Sequence, residues 1–472
     1  MSSCTQNTEQ SEASATILVW HDWPDPQSAA LEELLRGFEE VYPNIRVVVE
    51  YRAKDDLRDA FIDQAAAGLG PDLLIESDLA VVADLHAAGL LVDLNDADIE
   101  TNDLLEHAVD ALRADGGLYG IPFAAHTNVL YFNRNLIDSP PDSIEALRSP
   151  WSSQELSKPL ENGGRSKAEQ PDEQAISDKE ERSELLAAQF PDENEDSIPI
   201  PDPKAENTKT SAEDPVEETD AESMEKAKER VAAQIGSFVG RHDGRQVALA
   251  TDFFHAFWGI RAFGGSAFDD GGQLTVDDGF REWLAWLLEI QRDTTIILDN
   301  NYKDLVEAFA SGRTALMIGD SAEYVELQRK LGVDVLGVAT LPKGATPGGG
   351  LLELEVACMS KLSAKKEICT QVIGFLCNES SQRKIALSEV GQIPVNKKIR
   401  FNPRLMPVAA TLNRQIQRTS IISLSNVRRQ ERMFEIGNSI YLGVLAGELN
   451  PEDAMEELQE QFDRFNAMES GS

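Results

Sequence analysis

The chain has 472 residues, with 43 Lys and Arg against 82 Asp and Glu, a net charge of −39. That surplus makes nucleic acid a poor partner, because phosphate binding needs a basic surface. No apolar run approaches the roughly 20 residues of a membrane-spanning helix, and the length exceeds what one hydrophobic core usually accommodates, so two or three structural units are expected.

Thr5 to Ala15 is polar, rich in small residues and predicted not to fold. Ile17-Leu18-Val19-Trp20 is a wholly apolar run, a predicted strand, and it stops at His21-Asp22-Trp23-Pro24. Within Gln27 to Val41, Leu31, Leu34, Leu35 and Phe38 recur at helical spacing. Ile45 to Val49 reads as a second strand, Asp55 to Ala67 as a helix and Asp72 to Ile75 as a third strand. Apolar strands alternating with amphipathic helices predict a parallel sheet covered on both faces. Ligands of such sheets sit outside the carboxyl ends of the strands. Those ends carry His21, Asp22 and Trp23, then Glu76, Ser77 and Asp78, a mixture of rings and carboxylates suited to a polar, ring-shaped ligand.

From Trp151 to Arg230 the composition changes: about 23 acidic and 10 basic residues, with almost no aromatics. Such a stretch buries too little apolar surface to offset its ordering entropy and is predicted to be a disordered acidic insertion, with one exposed helix over Glu222 to Phe238. Beyond it the α/β pattern resumes. Helices are expected at Phe253 to Phe263, Phe280 to Ile290 and Leu305 to Ala310, and strands at Thr314 to Ile318, Val335 to Ala339 and Glu353 to Met359. Ala364 to Cys377, Ser381 to Ser388, Val427 to Leu445 and Pro451 to Phe465 complete the helices.

Of the four cysteines, Cys369 and Cys377 fall on one helix roughly 12 Å apart, too far for a disulfide. None makes a Cys/His ligand pattern, so no metal and no cofactor is expected. GxSxG, P-loop and HExxH motifs are absent. A glycosidase pair drawn from Asp22, Glu76 and Glu353 would need two carboxyls about 5–10 Å apart around one bond; binding without catalysis is the expectation.

Several ordered stretches resemble the extracellular solute-binding proteins of ABC importers, specifically the sugar-binding, maltose-binding-protein-like group. They include Phe38-Glu39-Glu40-Val41-Tyr42-Pro43-Asn44-Ile45, Gly70-Pro71-Asp72-Leu73-Leu74, Leu118-Tyr119-Gly120-Ile121-Pro122 and Leu130-Tyr131-Phe132-Asn133. Ala262-Phe263-Gly264-Gly265, Phe309 to Leu316, Gly337 to Pro342, Gly391-Gln392-Ile393-Pro394-Val395 and Gly447-Glu448 before Pro451 follow in order. The resemblance implies a two-lobed α/β periplasmic-binding-protein fold, two doubly wound lobes joined by a hinge that closes over a ligand. It implies a tail over 1–15, a first lobe of 16–122 plus 298–345, and a second lobe of 123–149 plus 236–297 plus 346–472. The disordered insertion, 150–235, then interrupts the second lobe.

The resemblance also places His21, Asp22 and Trp23, Glu76 and Asp78, and His126 on the first crossing segment, at sugar-contacting positions. Asp320 and Ser321 occupy a loop that commonly carries Gly-Pro-Trp, Glu353 replaces a small residue, and Phe434 matches an aromatic that stacks on sugar. Fewer rings and more acids leave room for a smaller sugar, an amino-sugar or a cationic solute such as a polyamine. The implied partners are a small solute, most simply a carbohydrate, and ABC permease subunits, with no nucleic acid and a monomeric chain. Met1-Ser2-Ser3-Cys4 resembles the end of a bacterial lipoprotein signal, which implies a lipid anchor at Cys4 as the sole membrane link and an extracytoplasmic location. A lipid-tethered sensor or scaffold without transport is the alternative.

Overall fold

The structure, a computed structural model, describes residues 15–148 and 246–470, apart from 26, 270–272, 294 and 389–390. The chain divides into two compact units, 1–150 with 222–472 and 151–221, and the described residues all lie in the first. Cys4, the 1–14 tail and the whole of the 150–235 insertion, with the Glu222 to Phe238 helix, lie outside the described residues.

Eleven strands are described: β1 (Ala15–His21), β2 (Ile45–Tyr51), β3 (Leu73–Glu76), β4 (Arg113–Ala114), β5 (Gly117–Leu118), β6 (Ile121–Asn133), β7 (Gln246–Ala250), β8 (Ile296–Asp299), β9 (Thr314–Asp320), β10 (Leu336–Ala339) and β11 (Leu352–Met359). Nine of them form one mixed sheet in the order β2-β1-β3-β11-β6-β9-β7-β8, with β10 also on β6. β1 pairs in parallel with β2 and β3, as the apolar-strand pattern predicts. The Gln27–Val41 helix covers them with Leu31, Leu34, Leu35 and Phe38, all buried.

The sheet has two halves that share one strand. Ile121 to Thr127 of β6 pairs with β11, whereas Asn128 to Phe132 pairs with β9, and Leu130 to Asn133 with β10. This pairing differs from the partition expected above. Thr314–Asp320 and Leu336–Ala339, expected in the first lobe, lie beside the second half of β6, and β9 also pairs with β7. Leu352–Met359, expected in the second lobe, runs antiparallel to β3 and so joins the first half. The physical reason is β6 itself: a 13-residue strand, buried along nearly its whole length, carries the chain from one half to the other and lets later strands dock on either end.

Among the described residues no helix is long and apolar enough to cross a membrane. Cys358, Cys369 and Cys377 are free, buried thiols; Trp258, Trp283 and Trp286 are buried and pack against one another.

Candidate functional site

Three groups of side chains gather where the two sheet halves meet. The first hangs from the carboxyl ends of β1 and β3. Glu76 is fully buried; its Oε1 accepts the Ser77 N–H at 2.9 Å and the Asp78 N–H at 2.8 Å, while its Oε2 has no hydrogen-bond partner among the described residues. Burial foremost, then the charge of Asp22, raises the Glu76 carboxyl to about 8, so it holds a proton at neutral pH. Asp22 is also raised, chiefly by burial, and its Oδ1 is likewise buried without a partner. Asp78 caps the Leu79–Ala87 helix by accepting the Ala80 N–H at 2.9 Å, and its other oxygen stands 3.8 Å from Lys54 Nζ.

The second group centres on His126, which sits on β6 one residue before the strand changes partners. Its Nδ1 lies 2.9 Å from Asp320 Oδ2 and 3.3 Å from Glu353 Oε2, and its Nε2 lies 3.9 Å from Glu355 Oε1. Burial alone would lower the imidazole, but Asp320 and Glu353 outweigh it and hold His126 up at about 10. Asp320 is shifted the other way: burial would raise it, and the imidazolium holds it below the usual carboxylate range. The facing atoms of His126, Asp320 and Glu353 lie within 4.8 Å of one another, a spacing that could also suit a divalent ion. With the imidazole held at about 10, a proton supplies the positive charge those acids meet. His126 thereby ties β9 of one half to β11 of the other.

Glu355 completes this group, its carboxyl raised to about 7 by burial. It accepts the Trp23 indole N–H at 2.6 Å and the Gln392 amide at 3.1 Å. Trp23 therefore points inward: it is 3% exposed and its ring stacks on Phe123. His21 and Ser321 also turn inward. His21 accepts the Trp23 N–H on Nδ1, and Ser321 Oγ accepts the Thr127 N–H at 3.2 Å. Burial lowers His21, which is neutral at pH 7. These three shape the site from behind instead of facing the cleft.

The third group lines an open cleft of about 220 Å³. Lys54, Asp78 and the start of the Leu79–Ala87 helix form one wall; Glu353 on β11 forms the floor; Phe254, Glu431 and Phe434 form the other wall. Phe254 and Phe434 meet edge to face with ring centroids 5.6 Å apart. Asp78, Glu353 and Phe434 are thus brought together in one cavity, with His126 and Asp320 one layer beneath through Glu353. Lys54, Glu355 and Phe254 were not singled out as candidates in the sequence. Lys54 is a lone base at a helix start, Glu355 lies in a strand whose buried side alternation does not reveal, and Phe254 reads as core.

Three carboxylates, an ammonium and two rings in one concave cavity can hold a hydroxyl-rich molecule. Carboxylates and the lysine exchange charge-assisted hydrogen bonds with hydroxyls, and the rings pack against C–H faces.

Known proteins share the fold described above. The GacH receptor of Streptomyces glaucescens GLA.O, solved unliganded and with acarbose and an acarbose homolog, has the same fold, with a TM-score of 0.64 over 96% of this chain and 98% of that one at 16% identity. A maltotriose-binding protein of Pyrococcus abyssi (strain GE5 / Orsay) is 28% identical over 146 residues. That match takes in 30% of this chain, which spans only 31% of that relative's length. The family model of bacterial extracellular solute-binding proteins matches residues 33–404, most of the chain. The chain belongs to the bacterial extracellular solute-binding protein family.

Proposed function

We propose that the chain captures a sugar or a related polar solute in the cleft floored by Glu353 and delivers it to a membrane permease, leaving the ligand chemically unchanged. The observation that carries this reading is the cleft: acids, a lysine and two rings from elements of both sheet halves converge on one cavity beside the strand that joins them. Asp78 and Glu353 accept from ligand hydroxyls, Lys54 donates to them, and the edge of Phe434 covers a sugar face. Capture is completed by the halves closing about β6, with contacts made only when closed providing the ligand dependence. The family supports an extracytoplasmic site of action, and the two sugar-binding relatives support a carbohydrate. A lipid anchor at Cys4 and a monomeric state belong to the same proposal, as do Asp22 and Glu76 as the buried acids behind the binding wall.

Thermal-shift screening against saccharides, polyamines and amino acids tests it. A ligand at 100 times its Kd should stabilise the fold by about 2.7 kcal/mol; no shift with any saccharide would refute a sugar ligand. One observation favours a second reading, a cationic solute such as an amino-sugar or polyamine. Three carboxylates, Asp78, Glu353 and Glu431, line the cleft against the single base Lys54. A shift with polyamines and none with neutral sugars would select it.

A further inference from the structure

Sheet register makes His126, Asp320 and Glu353 three arms of one cradle. His126 on β6 lies directly across from Glu353 on β11, so both side chains leave the same face of the sheet. Asn128, two residues further along β6, lies across from Asp320 on β9, which puts Asp320 on that face too. Two of the arms are held from behind. Asp320 accepts the Ala322 N–H on Oδ1 at 2.7 Å, which leaves Oδ2 turned to His126 Nδ1. Its own N–H donates to the Tyr302 hydroxyl, and its carbonyl accepts from the Tyr131 hydroxyl. The far nitrogen of His126, Nε2, faces Glu355 at 3.9 Å, and Glu355 is fixed in turn by Trp23 and Gln392. A carboxylate beside the far ring nitrogen is the usual surrounding of a metal-bound histidine, where it sets tautomer and ring orientation.

The spacing suits a small ion. Donors bound at about 2.0–2.2 Å in a tetrahedron around Zn2+ stand roughly 3.4 Å apart. His126 Nδ1 lies 2.9 Å from Asp320 Oδ2 and 3.3 Å from Glu353 Oε2, and all three atoms lie within 4.8 Å of one another. A neutral imidazole with two carboxylates carries two negative charges, which a divalent ion cancels. A nitrogen donor beside oxygens favours Zn2+ or Co2+ over Mg2+ and Ca2+, which prefer oxygen alone. The side chains of His126 and Asp320 are 16% and 12% exposed, whereas that of Glu353 is 34% exposed and lines the cleft, so the cradle opens on that side.

We propose that His126 Nδ1, Asp320 Oδ2 and Glu353 Oε2 bind a divalent ion of the Zn2+ class, whose fourth position opens into the cleft and takes a water or another small donor. His126 releases its Nδ1 proton to solvent as the ion enters, and its Nε2–H stays turned to Glu355. The ligands come from strands far apart in the chain, so no local spacing announces the site.

Calorimetric titration of the chelator-stripped full chain with Zn2+, Co2+, Mg2+ and Ca2+, in the absence of any solute, tests this. Zn2+ and Co2+ should each bind one tight equivalent, at least ~100-fold tighter than Mg2+ or Ca2+. The Co2+ form should show the visible bands of a four-coordinate ion, and azide should shift them by entering the open position. Losing a ligand should cost at least the ~10–100-fold that loss of an outer partner typically costs, so Glu353→Gln and Asp320→Asn should each lose the tight equivalent. Glu353 is the most exposed of the three, so its variant keeps the test alive if the Asp320 variant folds poorly. No tight equivalent in the wild type, or one that survives both substitutions and so lies elsewhere on the chain, overturns the site. Mg2+ or Ca2+ binding as tightly as Zn2+ overturns the ion class, and Co2+ bands that azide leaves unmoved overturn the opening to the cleft. With no solute present, each of these results leaves the reading of the cleft as a solute site intact.

Discussion

Glu76→Gln should make the protein more stable at alkaline pH. The glutamine carbonyl can keep the Ser77 and Asp78 N–H bonds, and its NH2 takes the place of the unpartnered Oε2, so the shape is retained. In the folded chain the Glu76 carboxyl is raised from 4.5 to about 8, so between those values the native state holds a proton that the unfolded chain has released. Stability therefore falls as pH rises through that window, and the protonated form's contribution is fully present only below about 4.5. At 1.36 kcal/mol per pH unit the span corresponds to about 5 kcal/mol at most. Asp22 lies close enough to share part of that penalty and is untouched in the variant, so a gain of about 2–4 kcal/mol at pH 9 is expected. Urea unfolding at pH 5, 7 and 9 measures it. The variant and wild type should nearly converge at pH 5, separate as pH rises through the window up to about 8, and stay apart at pH 9. A difference that stays constant across pH, or a variant less stable at pH 9, would refute the assignment of a buried, protonated Glu76.

His126 titrates with the same overall sign. Its folded value of about 10 exceeds the unfolded 6.5, so its contribution is complete below pH 6.5 and disappears as pH rises towards 10. His126→Ala, which leaves Asp320 buried without its cation, should cost about 3–5 kcal/mol and flatten the stability profile over that interval. Guanidinium unfolding at pH 7 and 9.5 checks both. Trp23→Phe removes the donor to Glu355 and should destabilise by about 1–3 kcal/mol without abolishing ligand binding; loss of binding at unchanged stability would mean that Trp23 faces the ligand. Cys358 and Cys369 are raised by burial and Cys377 is pushed up likewise, so iodoacetamide should leave all three unmodified under native conditions and label them after unfolding, as read by peptide mass spectrometry.

The local pattern foretold much of the fold. The Gln27–Val41 helix has the bounds that its leucine spacing predicts, because an amphipathic stripe against a sheet needs no distant information. β6 was only partly legible. Its 13 residues include Pro122, His126, Thr127 and Asn128, a polar interruption that reads as a crossing loop; it is strand because β11 pairs with one end and β9 with the other. The acids at the ends of the first and third strands were visible as candidates, since Asp22, Glu76 and Asp78 follow apolar runs, whereas Asp320 came only with the family resemblance. Their roles were not. That His126 gathers Asp320, Glu353 and Glu355 depends on register across more than 190 residues, and the inward turn of Trp23 depends on a carboxylate 332 positions away.

Titration of the best saccharide from the screen into wild type and into a Glu353→Gln, Phe434→Ala double variant tests the central claim most directly. Those two side chains lie on different faces of one cavity, and their loss should weaken binding by ~100-fold or more, about 2.7 kcal/mol. Full affinity in a folded double variant would contradict the placement of the solute in this cleft.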